Sequence, residues 1–186
     1  MAPHSTAGSR EFARRARRVR LLLVDVDGVL TDARIYLLSM PDGTALEMKV
    51  FHSHDGAALK LARVMGLRTG LITGRDSAAT TRRAREMGME FVSQKRAKKL
   101  PAYQEILRQA CLSDAEVAYM GDDLPDLPVL GRVGLAIAPG NATPEVKRAA
   151  HYVTRRRGGE GAVREAVEAI LRAQGVWREA IGRAEA

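Results

Sequence analysis

Two carboxylates follow a short apolar run early in the chain, in a spacing suited to phosphate chemistry. The run is Leu21–Val24, and Asp25, Asp27 and Gly28 come directly after it. Carboxylates at the end of an apolar strand are costly unless a cation compensates for them. Mg²⁺ takes oxygen ligands and keeps substrate phosphate in its shell, and a carboxylate can itself attack phosphorus. The pattern therefore indicates a nucleophile and an acid/base group at a metal site, although an acidic turn at a strand end would look the same.

Three later segments could complete such a site, and each follows a predicted strand. Thr73 and Gly74 offer a hydroxyl and free N–H groups to a phosphate oxygen. The stretch Lys95–Lys99 opens a predicted helix, where a lysine can clamp phosphate. The third segment again places carboxylates after a strand, where they could bind a metal ion: Asp122, Asp123 and Asp126. Asp122 would complete the metal site with Asp25, and the other two would position Asp122 or pair with the lysine. Alone, each segment is also typical of an ordinary turn or loop, but the ordered set predicts a phosphate and metal site.

The elements that must position these residues alternate between strand and helix patterns. Continuous apolar runs predict buried parallel strands, and apolar residues at helical spacing separate them. Alternation of this kind predicts an α/β fold, a three-layer Rossmann-like sandwich around a central parallel sheet. Ligands bind at the carboxyl ends of the strands in such sheets. A turn signal at Pro41–Thr44, between two strand-like runs over residues 34–39 and 45–51, predicts a β-hairpin.

Length and composition narrow the class of protein. A chain of 186 residues fits one domain, its single cysteine excludes an intrachain disulfide, and no apolar run is long enough to span a bilayer. These features predict a cytoplasmic protein. The net charge is +8, and arginines crowd residues 10–20. They would suit a nucleic-acid or protein binder, but Phe12 is the single aromatic among them, too few for the stacking that binding of single strands requires, so a solvated helix or tail is favoured.

The motifs resemble those of the haloacid-dehalogenase (HAD) superfamily of phosphatases, and more closely its small capless subfamily that includes 3-deoxy-D-manno-octulosonate (KDO) 8-phosphate phosphatases. The segments that carry the resemblance are LLLVDVDGVLTD, FHSHDGAALKL, GLITGRDS, KLPAY, YMGDDLPDLPVLGRVGLAIAP, HYVT and GGEGAVREAVEAILRAQG. Three positions depart from the family pattern, which has Arg at His54 and Gly at Ala58 and Lys95. The implied organisation is a basic tail over residues 1–18, disordered or helical, a HAD-like phosphatase domain over 19–175 with a β-hairpin in place of a cap domain, and a C-terminal tail over 176–186.

The resemblance also implies roles for individual residues. Asp25 would be the nucleophile and Asp27 the acid/base, and Mg²⁺, the implied cofactor, would be held by Asp25, the backbone carbonyl of Asp27, and Asp122. Thr73 and Lys99 would bind the transferring phosphoryl group, with Lys99 preferred because Lys99-Leu-Pro-Ala-Tyr fits the family's pattern. Asp123 and Asp126 would support the site. The residues implied to contact the sugar acid are Asp27, His52, Ser53, His54, Asp55, Gly56, Lys60, Gly74, Arg75, Arg83 and Lys99.

The implied reaction is hydrolysis of KDO 8-phosphate through an aspartyl-phosphate, a step of lipopolysaccharide biosynthesis. Relatives that act on nine-carbon, sialic-acid-type 9-phosphates are the alternative: Arg75 favours the eight-carbon substrate, whereas Glu160 favours the other. The family also implies a homotetramer in which the hairpin joins subunits and a neighbour completes the active site, with the Gly158–Gly161 loop closing over an adjacent site. A non-catalytic binder using the basic tail is the alternative of another class, and retention of the motif residues argues against it.

Overall fold

The computed structural model of this chain describes residues 10–185, with side chains through residue 183. The strands are β1 (Leu21–Val24), β2 (Tyr36–Ser39), β3 (Ala45–Met48), β4 (Arg68–Ile72), β5 (Phe91–Ser93), β6 (Val117–Met120), β7 (Leu135–Ala138) and β8 (Tyr152–Val153). Six of them form one parallel sheet in the order β5-β4-β1-β6-β7-β8. The predicted parallel sheet is thereby confirmed.

Strand β1 lies in the middle of the sheet, and its four residues are fully buried. It pairs with β4 on one side and with β6 on the other, so that Val24 stands opposite both Leu71 and Met120. A strand buried on both faces needs a continuous apolar run, which Leu21–Val24 provides. This register brings the chain segments after β1, β4 and β6 to the same edge of the sheet.

Helices cover both faces of the sheet. They are α1 (Arg10–Ala16), α2 (Ser53–Val64), α3 (Ala78–Met87), α4 (Lys99–Ala110), α5 (Leu127–Leu130), α6 (Pro144–Ala149), α7 (Ala162–Ala173) and α8 (Trp177–Glu185). One core lies between the sheet and α1, α2, α3, α7 and α8, and a second lies between the sheet and α4, α5 and α6. The three-layer sandwich is confirmed. Among the described helices, none has the length and apolar character to cross a bilayer.

The segments before residue 19 and after residue 175 contribute to the first core. Phe12 and Ala16 of α1 are buried there, and so are Trp177 and Ala180 of α8. Residues 1–9 of the predicted tail lie outside the described residues. The domain boundaries at residues 19 and 175 stay predictions. Helix α1, before residue 19, and helix α8, after residue 175, both belong to the core on one face of the sheet.

Strands β2 and β3 form the predicted hairpin as a separate antiparallel pair, with Leu38 opposite Leu46. The turn closes through a hydrogen bond from the N–H of Met40 to the carbonyl of Thr44. Gly43 has a φ of +81° there, a conformation that glycine adopts without a steric penalty. The observed strands are shorter than the predicted runs, because residues 34–35 and 49–51 connect the hairpin to the body.

Candidate active site

The loop after β1 holds Asp25 at the edge of the sheet. The N–H of Asp25 donates to the carbonyl of Met120 at 2.9 Å, and the N–H of Val26 donates to Oδ1 of Asp25 at 2.7 Å. The loop then turns at Gly28, where φ is +91°. A Cβ atom at Gly28 would lie 1.9 Å from Oδ2 of Asp122. Glycine at this position therefore allows the carboxylate that follows β6 to approach the loop after β1.

Lys99 lies between two of the carboxylates. It is the first residue of α4 and is 5% exposed. Its Nζ lies 2.8 Å from Oδ2 of Asp25 and 2.6 Å from Oδ1 of Asp126. Burial acts to lower the pKa of Lys99, but the two adjacent carboxylates raise it above its ordinary value. The ammonium group is therefore charged and placed beside the predicted nucleophile, whereas Lys95 pairs with Asp76 at the surface.

Asp126 organises the segment after β6. Its Oδ1 also accepts a hydrogen bond from the hydroxyl of Tyr119 at 2.6 Å. Its Oδ2 accepts from the N–H groups of Asp122 at 3.0 Å and Asp123 at 3.2 Å. The side chain of Asp123 caps the following 3₁₀ turn by accepting from the N–H of Leu124. Asp126 is thus a buried residue that contacts both Lys99 and the backbone of the 122–123 turn.

Three carboxylates meet closely enough to hold a metal ion. Asp25, Asp122 and Asp126 each offer an oxygen, and these oxygens lie within 4.8 Å of one another. Burial raises the pKa of Asp25 to about 7, against the effect of Lys99. Burial and the charges of Asp25 and Asp126 raise the pKa of Asp122 to about 8.

The carboxylate donors fit a Mg²⁺ ion. Oδ1 of Asp122 is buried and receives no hydrogen bond from the described residues. The oxygens of Asp126 are already engaged by Lys99, Tyr119 and backbone N–H groups, so Asp25 and Asp122 are the freer ligands. A bound divalent cation would offset their mutual repulsion and their desolvation.

Thr73 follows β4, the strand beside β1. It is 2% exposed, and its Oγ1 lies 3.4 Å from the N–H of Arg75. Its own N–H donates to the carbonyl of Ser93 at 2.9 Å. Gly74 is exposed next to it. The structure thus places the predicted phosphate-binding hydroxyl at the same edge of the sheet as Asp25.

Asp27 contacts residues that sequence reasoning missed. Its carboxylate forms a short ion pair with Lys49, and Lys49 Nζ lies 3.4 Å from Oε1 of Glu47. Arg75 pairs with Glu47 at 2.9 Å, and its Nε lies 3.9 Å from Oδ2 of Asp27. A signal was present in the sequence, because Glu47 and Lys49 alternate with apolar residues along the hairpin.

The residues at the start of α2 separate into two groups. The rings of His52 and His54 contact edge to face at 5.0 Å, and Gly56 lies under the guanidinium of Arg83, whose Nη2 would be 2.1 Å from a Cβ atom there. Asp55 is 1% exposed instead, and its Oδ1 accepts from the N–H of Arg164 at 2.7 Å. That bond caps the first turn of α7. Two further residues that were predicted to contact the sugar make none of these interactions. Ser53 is exposed as the first residue of α2, and Lys60 lines a surface cavity between α2 and α3.

The Gly158–Gly161 loop packs against the loop after β1 of its own chain. The N–H of Gly159 donates to the carbonyl of Val29 at 3.2 Å. Asn141, which sequence reasoning also missed, donates to the carbonyl of Gly28 at 3.0 Å and accepts from the N–H of Gly158 at 2.6 Å. A Cβ atom at Gly158 would lie 1.8 Å from the carbonyl oxygen of Gly28. Gly158 and Gly159 therefore belong to the surroundings of the site in the same chain.

The fold and the four strand-end motifs define a class of protein. A family model described as haloacid dehalogenase-like hydrolase matches residues 75–166. The 3-deoxy-D-manno-octulosonate 8-phosphate phosphatase of Escherichia coli K12 is 38% identical over 175 residues, which cover 94% of this chain and 91% of the relative. The chain belongs to the haloacid dehalogenase-like hydrolases, as its motifs predicted, and such relatives make it a phosphoric monoester hydrolase.

Particular relatives extend the likeness to structure. The crystal structure of 3-deoxy-D-manno-octulosonate 8-phosphate phosphatase from Yersinia pestis has a TM-score of 0.85 at 39% identity, covering 91% of this chain and 89% of that one. The enzyme of that name from Moraxella catarrhalis, in complex with magnesium, phosphate and KDO, has a TM-score of 0.86 at 35% identity, covering 92% and 96%. A magnesium-bound relative and the acidic cluster of this chain together support the predicted Mg²⁺ cofactor.

Proposed function

We propose that this chain is a cytoplasmic, Mg²⁺-dependent phosphatase that hydrolyses KDO 8-phosphate to KDO and inorganic phosphate, a step of lipopolysaccharide biosynthesis. The observation that carries the proposal is the meeting of Asp25, Lys99 and Asp122 at one edge of the sheet. The names of relatives that match more than nine-tenths of the chain supply the substrate. Asp25 and Asp122, with the backbone carbonyl of Asp27, would hold Mg²⁺, which offsets the negative charge of the phosphate when bound.

In the proposed reaction Asp25 attacks phosphorus and forms an aspartyl-phosphate, while the bond to the sugar oxygen breaks. Asp27 donates a proton to that oxygen and then takes one from the water that hydrolyses the intermediate. Lys99 and Thr73 bind the transferring phosphoryl group, since an ammonium and a hydroxyl at this edge of the sheet suit its oxygens. Asp126 keeps Lys99 in place between the two steps.

The proposed sugar contacts come from the start of α2 and from the segment after β4. Arg75, Arg83, His52 and His54 supply cationic or hydrogen-bonding groups suited to a substrate that carries both carboxylate and phosphate. Asp55 supports this part of the proposed site indirectly, because it accepts the hydrogen bond from Arg164 that joins the start of α2 to the first turn of α7. Arg75 supports the eight-carbon substrate over a nine-carbon 9-phosphate, and assays with both sugar phosphates decide between them.

The central test is Asp25→Asn, which keeps the side chain's shape and removes the attacking charge. We expect turnover of KDO 8-phosphate to fall by at least about 10³-fold. The matched control is Asp76→Asn, because Asp76 is exposed and pairs only with Lys95 among the described residues. Wild-type activity that EDTA abolishes and Mg²⁺ restores would support the metal site. A folded Asp25→Asn protein with near-normal turnover would contradict the proposal.

The proposal includes a homotetramer joined by the hairpin. Leu38 of β2 is 63% exposed, and Leu46 and Met48 of β3, on the same face of the hairpin, are 56% and 57% exposed. Contiguous exposed apolar side chains of this kind mark interaction sites, and a second copy of the chain presents the same surface. A neighbour's hairpin would then add walls to a site that has no cap domain.

Light scattering tests the assembly directly. We expect a mass near four chains, and a smaller one for the double variant Leu38→Lys, Leu46→Lys, because these residues face each other across the strands. Arg18→Gln, a change at an exposed residue two positions after α1, is the control. A wild-type monomer with full activity would contradict the intersubunit part of the proposal and leave the chemistry untouched.

A further inference from the structure

The hairpin strand β3 and the residue after it divide polar and apolar side chains between opposite sides. The side chains of Glu47 and Lys49 are 19% and 4% exposed, whereas Leu46 and Met48 are more than half exposed. A half-buried strand normally turns its apolar residues inward. Here the inward side carries the charges, so it is suited to contacts with charged groups rather than to a core.

The inward side contacts the proposed acid/base residue. The ammonium of Lys49 pairs with Oδ1 of Asp27 and lies 3.4 Å from Glu47. A lysine this deeply buried is stable only when it is paired, so the geometry of its carboxylate partners is fixed with it. Arg75 approaches the other oxygen of Asp27 at 3.9 Å, from a side chain that is 44% exposed. Lys49 is therefore the tighter of the two constraints on Asp27.

We infer that Lys49 is a positioning residue, which holds the carboxyl group of Asp27 towards the leaving group and makes the hairpin part of the catalytic apparatus of its own chain. The inference rests on the acid/base role proposed for Asp27. Proton transfer to a leaving oxygen requires hydrogen-bond reach, and Asp27 lies on a loop, where its rotamer depends on side-chain partners. Lys49 follows β3 directly, so the position of the hairpin on its own chain determines the orientation of the Asp27 carboxyl group.

The test compares two substrates of nearly equal size, phenyl phosphate and 4-nitrophenyl phosphate. The nitrophenolate leaves without protonation, whereas the phenolate depends more on an acid. The ratio kcat/KM reports events through departure of the leaving group. We expect Lys49→Gln to lower kcat/KM for phenyl phosphate about tenfold more than for 4-nitrophenyl phosphate, since general acid catalysis supplies at least that factor.

Two comparisons separate positioning from a structural effect. In an Asp27→Asn background, Lys49→Gln should cause no further loss on phenyl phosphate, because residues that act through one group are not additive. Lys49→Arg keeps the charge and should recover part of the loss. If Lys49→Gln does not fold, Lys49→Arg is the test variant. Its kcat/KM for phenyl phosphate should still fall more than that for 4-nitrophenyl phosphate, by a smaller factor than for the glutamine variant. Lys95→Gln, at an exposed lysine–aspartate pair, should change neither substrate.

Equal losses on the two substrates, or additive losses in the double variant, would overturn the inference while the wild-type phosphatase activity stands. If the wild-type protein with Mg²⁺ hydrolyses neither substrate nor KDO 8-phosphate, the proposed function and the inference are overturned together. Wild-type activity is thus the readout that distinguishes the two failures.

Discussion

Replacing Gly28 by alanine should damage both the fold and the metal site. The new Cβ atom would lie 1.9 Å from Oδ2 of Asp122, at a backbone φ of +91°. The left-handed conformation costs a non-glycine residue about 1–2 kcal/mol. Relieving the overlap adds about 1–3 kcal/mol by analogy with overpacked cores. We therefore expect the free energy of unfolding to fall by about 2–5 kcal/mol, with the Asp122 carboxylate displaced from the metal site.

Gly66→Ala is the matched control, because Gly66 has a φ of +81° and its Cβ atom would meet nothing within 4 Å. It shares the backbone cost and lacks the overlap. Urea unfolding gives the free energies, and the Mg²⁺ dependence of 4-nitrophenyl phosphate hydrolysis gives the metal affinity. We expect Gly28→Ala to need at least about tenfold more Mg²⁺, the equivalent of 1.4 kcal/mol, and Gly66→Ala to need no more. Equal destabilisation of the two variants with unchanged Mg²⁺ dependence would refute the steric reasoning.

Three further outcomes are expected. In the folded, metal-free protein the pKa values of Asp25 and Asp122 are about 7 and 8, above the usual 3.8. The folded state therefore binds more protons than the unfolded state, and the Tm without metal should fall as pH rises from about 4 to about 8. The gain in Tm on adding Mg²⁺ should grow over the same range, and a metal-free Tm that rises instead would contradict this. Asp55→Ala removes the hydrogen bond to the N–H of Arg164 and should lower the free energy of unfolding in urea by about 1–3 kcal/mol; an unchanged free energy of unfolding would contradict this. Asn141→Ala removes both hydrogen bonds that join the Gly158–Gly161 loop to the loop after β1, so kcat should fall; an unchanged kcat would count against the role of that bridge.

The central sheet and the chemistry at its edge could be predicted from local patterns. Leu21–Val24 indicates a buried strand, because four consecutive apolar residues, ended by acidic and glycine residues, leave no polar face for water. Parallel strands then bring their carboxyl ends to one edge of the sheet. The sequence predicts on that basis that Asp25, Thr73, Lys99 and Asp122 lie together. In the structure Nζ of Lys99 lies 2.8 Å from Asp25, and carboxylate oxygens of Asp25 and Asp122 lie within 4.8 Å of each other.

The sequence did not indicate which side chains meet across long stretches of chain. Asp55 looked like part of a ligand-binding segment, but it accepts a hydrogen bond from a residue 109 positions away. Asn141 bridges to Gly28 over 113 positions. Such pairs depend on how helices and loops dock, and no periodicity records that docking.

By itself, then, the sequence determined the alternation of strands and helices, the buried central strand and the residue types that gather where strands end, because each follows from local periodicity and from the cost of burying charge. The tertiary structure decided how those residues are supported. It set Lys99 between two carboxylates, turned the charged side of the hairpin towards Asp27 and used Asp55 to cap a distant helix. These contacts are non-local, and the packing of whole elements selects them from many combinations that the sequence would allow.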